Sequence, residues 1–253
     1  MAEWFEEFFD GLYAKVLPKT FDESQTLEHV QVVKRLLGLR RGQRVLDIPC
    51  GMGRLTIPLA RMRLLMTGVD LTASYVRRAR RYARQEAVDV RFVCKDMRNI
   101  AFEAEFDAAF NWFGSFGYFS DAENLRFCRK MFHALKPGGK FLVEGMNKSW
   151  LLAHFRPHDD RVIGGVRIVE SRGLDARTGR AVSTWTFCRG GVSESRRSSM
   201  RVFNGAEMRT ILKAAGFRDI ALFGYPPLGR FTRHSQRLIA VGRRPLEMRR
   251  RRS

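Results

Sequence analysis

The chain has 253 residues, 45% of them hydrophobic and 28% charged, which excludes a disordered chain and suits one α/β domain with a buried core or two small domains. Lys and Arg number 46 against 26 Asp and Glu, a formal net charge of +20; such a field draws polyanions, unless it reflects only a bias toward Arg along the whole sequence. Cys50, Cys94, Cys128 and Cys188 form no C-x-x-C pair, which excludes a zinc knuckle or a dense disulfide frame and predicts reduced thiols in a cytoplasmic protein.

In chain order, residues 3–16 place Phe5, Phe8, Phe9, Leu12, Tyr13 and Val16 at the spacing of an amphipathic helix. The acidic start differs from a signal peptide, and no apolar run reaches the roughly 20 residues of a membrane span. A second helix is predicted over residues 24–37, stopped by Gly38. Residues 44–48 form a short buried strand ending in the turn Pro49-Cys50-Gly51-Met52-Gly53, with helical residues through Ala60. A strand over 64–70 and a helix over 74–86 come next, then strands over 90–94 and 106–110 and a helix over 122–135. Lys136-Pro137-Gly138-Gly139 forces a turn into a fifth strand over 140–144. This alternation requires crossover connections, hence a doubly wound, mostly parallel α/β sheet with helices on both faces.

Between residues 161 and 203 the pattern changes. Strand-like stretches over 166–171, 181–188 and 198–203 are separated by Gly-Gly and Thr-Gly turns without a helix, which predicts an antiparallel β insertion after the fifth strand. A helix over 205–215 and strands over 220–223 and 237–241 close the domain, and residues 243–253 are expected to be a solvated basic tail.

Three acidic residues lie at the ends of three successive predicted strands. In doubly wound sheets a ligand binds beyond the carboxyl ends of the strands, where strand order reverses. Asp47 precedes a turn whose Gly51 and Gly53 let the backbone approach a nucleoside. Asp70 ends the second strand, where a carboxylate can accept both ribose hydroxyls. Asp96, beside Met97, follows the third, where it can accept the exocyclic amine of an adenine lying on its apolar neighbour. Each motif alone has a structural explanation, such as a Gly turn or a helix N-cap; three in succession predict a nucleoside site.

With these motifs and the turn at residues 136–139, the segment 40–148 resembles the class I S-adenosylmethionine-dependent methyltransferases, and the C-terminal strands fit as well. The resemblance implies a seven-stranded Rossmann-like sheet, S-adenosyl-L-methionine as cofactor, S-adenosyl-L-homocysteine as product, and no metal. It implies that Asp47, Pro49, Gly51 and Gly53 cradle the methionine part, Asp70 and Leu71 the ribose, and Asp96 and Met97 the adenine. Pro49 departs from the first glycine of many members, removing an N–H and fixing φ. Residues 111–119, with Asp121 to Asn124 after them, are similar to a bacterial small-molecule subgroup. Asn111 and Trp112 are expected at the cofactor, Tyr13 is expected to reach it from the N-terminal helix, and the aromatic faces suit a sulfonium kept from water.

Methyl transfer is an in-line displacement accelerated mainly by positioning, and a base is needed only for a protonated acceptor. Tyr118, Glu144, His154, His158 and His234 are the candidates, and His154 and Tyr118 are the expected catalytic residues. The expected plan is a single domain over 1–253. Its N-terminal helices (1–38) cover the site, followed by a cofactor core (39–149), an insertion serving as acceptor lid (150–204), the last helix and strands (205–242) and the tail (243–253).

The expected function is methylation of O, N or C of a small-molecule acceptor. The alternative, an RNA methyltransferase using the basic surface, lacks an Asn/Asp-Pro-Pro-Tyr motif and a recognisable RNA-binding module. Arg77, Arg81 and Arg84 share one helix face as a solvated stripe. An NAD-dependent dehydrogenase needs G-x-G-x-x-G, whereas residues 51–56 end in Thr56. No membrane partner is expected, and the sequence does not decide between a monomer and a homodimer.

Overall fold

The structure is a computed structural model that describes residues 3–175 and 177–246. The N-terminal region contains α1 (Trp4–Phe8), α2 (Tyr13–Val16) and α3 (Glu23–Leu37). The single helix expected over 3–16 is therefore two. Gly11 breaks it with φ +61°, and a side chain there would collide with the Glu194 carboxylate, which accepts the Leu12 N–H at 3.0 Å. Helix α3 begins at a capping box made by Asp22 and Gln25 and ends at left-handed Gly38, as Gly after an amphipathic run predicts.

The alternating half comprises β1 (Arg44–Asp47), α4 (Thr56–Arg61), β2 (Leu65–Asp70), α5 (Ala73–Gln85), β3 (Val90–Cys94), β4 (Phe106–Asn111), α6 (Asp121–Ala134) and β5 (Leu135–Met146). β5 starts earlier than expected: Leu135 already pairs with Phe106, and the Pro-Gly-Gly segment makes a register shift rather than a separate turn. After β5 come α7 (Lys148–Ala153) and four strands, β6 (His158–Ile163), β7 (Val166–Asp175), β8 (Arg180–Arg189) and β9 (Val192–Arg201). Then α8 (Gly205–Ala214), β10 (Arg218–Tyr225), a two-residue β11 (Gly229–Arg230) and β12 (Arg237–Arg243) complete the described chain.

The main sheet has the order β11-β10-β12-β5-β4-β1-β2-β3. β1 to β5 pair in parallel, and β12 runs antiparallel to both β5 and β10. This is the expected seven-stranded sheet, extended at one edge by β11. Its central strands β1, β2 and β4 are almost wholly buried, as parallel strands covered by helices on both faces must be. Along β4, Phe106 and Ala109 pack with α6 and α8 on one face, while Ala108 and Phe110 pack with α3 and α4 on the other. On α5, Val76, Ala79 and Ala83 face inward, and Arg77, Arg81 and Arg84 form the expected exposed stripe.

The insertion is a separate antiparallel sheet in the order β6-β7-β8-β9. Phe8, Leu12 and Val16 pack against its Val166, Ile168 and Phe187, tying the N-terminal segment to it. Arg180 ties it to the loop after β4 by donating to the carbonyls of Phe119 and Tyr118, each at 2.9 Å. At the C-terminus Arg243 ends β12 and Arg244 donates to the Leu135 carbonyl at 2.7 Å, so the expected free tail does not begin there; residues 247–253 lie outside the described residues. Among the described residues, no helix is long and apolar enough to cross a membrane.

Candidate active site

β1 pairs with β2 on one side and β4 on the other, so strand order reverses between β1 and β4. Beyond the carboxyl ends of these strands lies a cavity of about 1180 Å³, where a doubly wound sheet places its ligand.

The turn after β1 forms part of its wall. Asp47 is 3% exposed and accepts the Thr56 hydroxyl at 2.6 Å. Burial pushes its carboxyl up to about 8, against the opposing effects of the Thr56 hydrogen bond and the Arg54 charge. Gly51 and Gly53 both take positive φ, and a Cβ at Gly51 would meet no atom within 4 Å, leaving the backbone open to a ligand. The Gly51 N–H donates to one oxygen of Asp70 at 2.8 Å, and the Thr72 N–H donates to the other at 2.8 Å. Burial raises the Asp70 carboxyl, opposed by these two bonds. Pro49 and Leu71 line the same cavity.

Asp96 and Met97 line the cavity too, but the Asp96 carboxylate is already engaged. One oxygen accepts the Arg98 N–H at 2.7 Å, and the other accepts Arg98 Nε and Nη2 at 2.9 and 2.8 Å. Arg98 also reaches Glu3 at 2.9 Å and Glu123 at 3.2 Å, joining the N-terminal segment to α6 through the acid after β3. Asn111 is fully buried behind the wall. Its amide donates to the Ile48 carbonyl at 2.8 Å, and its Oδ1 has no partner among the described residues. Trp112 does line the cavity and packs against the rings of His29 and Tyr225.

Arg54 was not among the expected site residues, although its place directly after Gly53 is a usable signal. It lines the cavity with its guanidinium 4.3 Å from the Phe21 ring centroid and 2.9 Å from His29 Nδ1. Burial, then the Arg54 charge, lowers His29 to about 4, so its ring is neutral and Nδ1 accepts. Burial also lowers Arg54 to about 10, so it remains a cation near Asp47.

The opposite side of the cavity is aromatic. Tyr118 stacks with Phe5 and Phe9 at 6.0 Å each and meets Trp4 edge-on at 4.8 Å. Burial pushes its phenol well above the ordinary range, opposed by a Ser115 hydrogen bond. Tyr13 also lines the cavity, its phenol pushed up to about 12 by burial with Arg161 opposing. His154 caps α7 at the exposed rim, stacked on Trp150 at 4.4 Å with Nδ1 2.9 Å from the Trp150 carbonyl. Glu144 is buried and committed, accepting the N–H groups of Phe113 and Gly114 at 2.7 and 3.2 Å and pairing with Arg237. His158 and His234 are exposed and do not line the cavity.

The residues present fit a nucleoside carrying an amino-acid tail. Asp47 is a buried carboxylate with no cation hydrogen-bonded to it among the described residues; an α-ammonium supplies one. The open backbone at Gly51 and the Asp70 carboxylate stand beside it.

Comparison with known proteins agrees with this geometry. Residues 45–139 match the sequence family described as "Methyltransferase domain". A ubiquinone biosynthesis O-methyltransferase of Coxiella burnetii is 26% identical over 110 residues, covering 44% of this chain and 46% of that protein. The chain thus spans about half the length of the curated relatives it matches. An S-adenosylmethionine-dependent methyltransferase from Clostridium acetobutylicum superposes with a TM-score of 0.77 at 16% identity, covering 92% of this chain and 96% of that one. CalS10, an S-adenosylmethionine-bound amino pentose methyltransferase from Micromonospora echinaspora, gives a TM-score of 0.66 at 19% identity, covering 93% and 97%. The chain has the fold of these class I methyltransferases, and its residues 45–139 match the methyltransferase-domain family.

Proposed function

We propose that the protein is an S-adenosyl-L-methionine-dependent methyltransferase that methylates O, N or C of a small-molecule acceptor. The observation that carries this reading is the convergence of Asp47, Asp70 and Asp96 on one cavity at the switch point, with Asp47 buried and no cation hydrogen-bonded to it among the described residues. At about 1180 Å³ the cavity exceeds the roughly 300–1,000 Å³ usual for one small ligand, which supports room for an acceptor beside the cofactor.

The bound cofactor supplies a methyl group activated on a sulfonium. The chain supplies binding, orientation and exclusion of water. Asp47 and the glycine turn hold the amino-acid end, Asp70 with Leu71 the ribose, and Asp96 with Met97 the adenine. The N-terminal helices cover the cofactor and the insertion sheet forms the acceptor lid, a division supported by Trp4, Tyr13, Trp185 and Met200 all lining the cavity. His154, at the rim, takes a proton from a protonated acceptor. Tyr118, a neutral phenol that burial pushes further from ionisation, orients the acceptor by its hydroxyl. The four free cysteines support a cytoplasmic setting.

The test is incubation with methyl-labelled S-adenosyl-L-methionine and either a fractionated small-molecule extract or total RNA. Label in a low-mass product, with turnover insensitive to salt, is expected. Label confined to RNA, with activity falling steeply as salt rises, would replace the small-molecule acceptor with a nucleic acid.

A further inference from the structure

The insertion sheet presents charge to the cavity where a lid needs only apolar cover. β6 contributes Asp159 and Arg161, and β7 contributes Glu170 and Arg172; all four line the cavity. Alternate residues of a strand share a face, and Asp159 stands opposite Glu170 in the ladder, so two hairpin strands gather the four groups. The Glu170 side chain is 3% exposed and lies behind the two guanidiniums, which are 32% and 28% exposed.

The bonding within this group is one-sided. Arg161 uses only Nη1, toward Asp159 and toward Glu170 at 3.4 Å. Arg172 uses only Nη2, toward Glu170 at 2.6 Å and Asp159 at 3.2 Å. The Nε and second terminal nitrogen of each have no hydrogen-bond partner among the described residues, and none of these nitrogens is both buried and unpaired. Each guanidinium carries five N–H donors in a planar fork. The two acids therefore anchor one corner of each fork and leave the remaining donors unused. Arg156, also lining the cavity, adds a third positive charge against two negative ones. Beside them, the Trp185 ring lies 5.2 Å from the Arg161 guanidinium and 5.7 Å from Phe8.

We infer that Arg161 and Arg172 form a carboxylate-binding subsite, and that the methyl acceptor is an aromatic molecule bearing a carboxylate. Planar forks match a carboxylate in a bidentate manner that a point charge does not. The neighbouring Trp185 and Phe8 supply a wall for the flat apolar body to which that carboxylate is attached. Glu170 and Asp159 hold both forks in place before the ligand arrives, which reduces the entropy lost on binding. This inference rests on the methyltransferase reading for the word acceptor; the subsite itself rests on the insertion sheet.

The test compares 2-naphthoate with the neutral 2-naphthamide by calorimetry, with and without S-adenosyl-L-homocysteine, on wild type, Arg161→Met and Arg172→Lys. Arg172→Lys keeps the positive charge over Glu170 and removes only the fork, guarding against a variant that fails to fold. Wild type is expected to bind the naphthoate about tenfold or more tightly than the amide, and both variants to lose most of that preference while retaining wild-type affinity for S-adenosyl-L-homocysteine. Equal binding of acid and amide, no measurable binding of either, or a preference surviving in both variants would overturn the subsite. Failure of S-adenosyl-L-homocysteine to bind any of the three proteins, with the carboxylate preference intact, would sink the methyltransferase reading and leave the subsite standing.

Discussion

On the proposed assignment of Asp47 to the cofactor's ammonium, binding is linked to pH. The Asp47 carboxyl is pushed up to about 8 in the folded chain, against about 3.9 in an unfolded one. The folded state thus holds a proton that the unfolded state has released between these values, so the unliganded protein loses stability as pH rises from about 4 to 8. A cofactor ammonium beside Asp47 favours the ionised form and reverses the shift. At pH 7 a carboxyl titrating at about 8 is roughly nine-tenths protonated, so binding of S-adenosyl-L-homocysteine should release about 0.9 proton. Affinity should rise about tenfold from pH 6 to 7 and level off above about 8. Calorimetric titrations in two buffers of different ionisation enthalpy give the proton count directly, and a series from pH 6 to 9 gives the slope. In Asp47→Asn both effects should vanish, leaving weak, pH-independent binding. Wild-type binding with no buffer dependence and no pH slope would show that Asp47 does not receive the ammonium.

Three further outcomes follow from named contacts. Asp70→Asn keeps the shape but replaces a carboxylate that accepts the Gly51 and Thr72 N–H groups; it should weaken S-adenosyl-L-homocysteine binding by about tenfold or more, read by calorimetry, and unchanged affinity would remove Asp70 from the site. Arg98→Ala releases Glu3, Asp96 and Glu123 together; trypsin should then cut sooner at Lys15 and Lys19, and identical digestion rates would show that this ion cluster does not pin the N-terminal helices. Arg180→Met leaves the Phe119 and Tyr118 carbonyls without this donor and should cost about 1–3 kcal/mol in urea denaturation, with acceptor turnover falling more than cofactor affinity. An unchanged denaturation midpoint would deny Arg180 its role as a clasp.

The sheet was legible because its strands repeat one physical problem. A strand buried on both faces must be apolar for several residues and then stop, so segments such as Phe106–Asn111 stand out between helical periods. The acids at 47, 70 and 96 were legible for the same reason, since strand ends can be counted. β6 was not legible: His158, Asp159, Asp160 and Arg161 carry no apolar alternation, and their strand is specified by pairing with β7. The break at Gly11 was hidden for a similar reason, because the partner that requires it, Glu194, is 183 residues away on β9. The Arg161–Arg172 group depends on hairpin register, which residue spacing alone does not reveal. The engagement of Asp96 by Arg98 is a local two-residue contact, yet it takes the wider network of Glu3 and Glu123 to show what it holds together.

The most direct test of the central claim is calorimetric titration of the folded protein with S-adenosyl-L-methionine and S-adenosyl-L-homocysteine, alongside Asp47→Asn and Asp70→Asn. Saturable binding of both nucleosides to wild type at one site, weakened by both substitutions, is the predicted result. Absence of heat and of any thermal shift with either ligand would contradict it, leaving the methyltransferase fold without its cofactor.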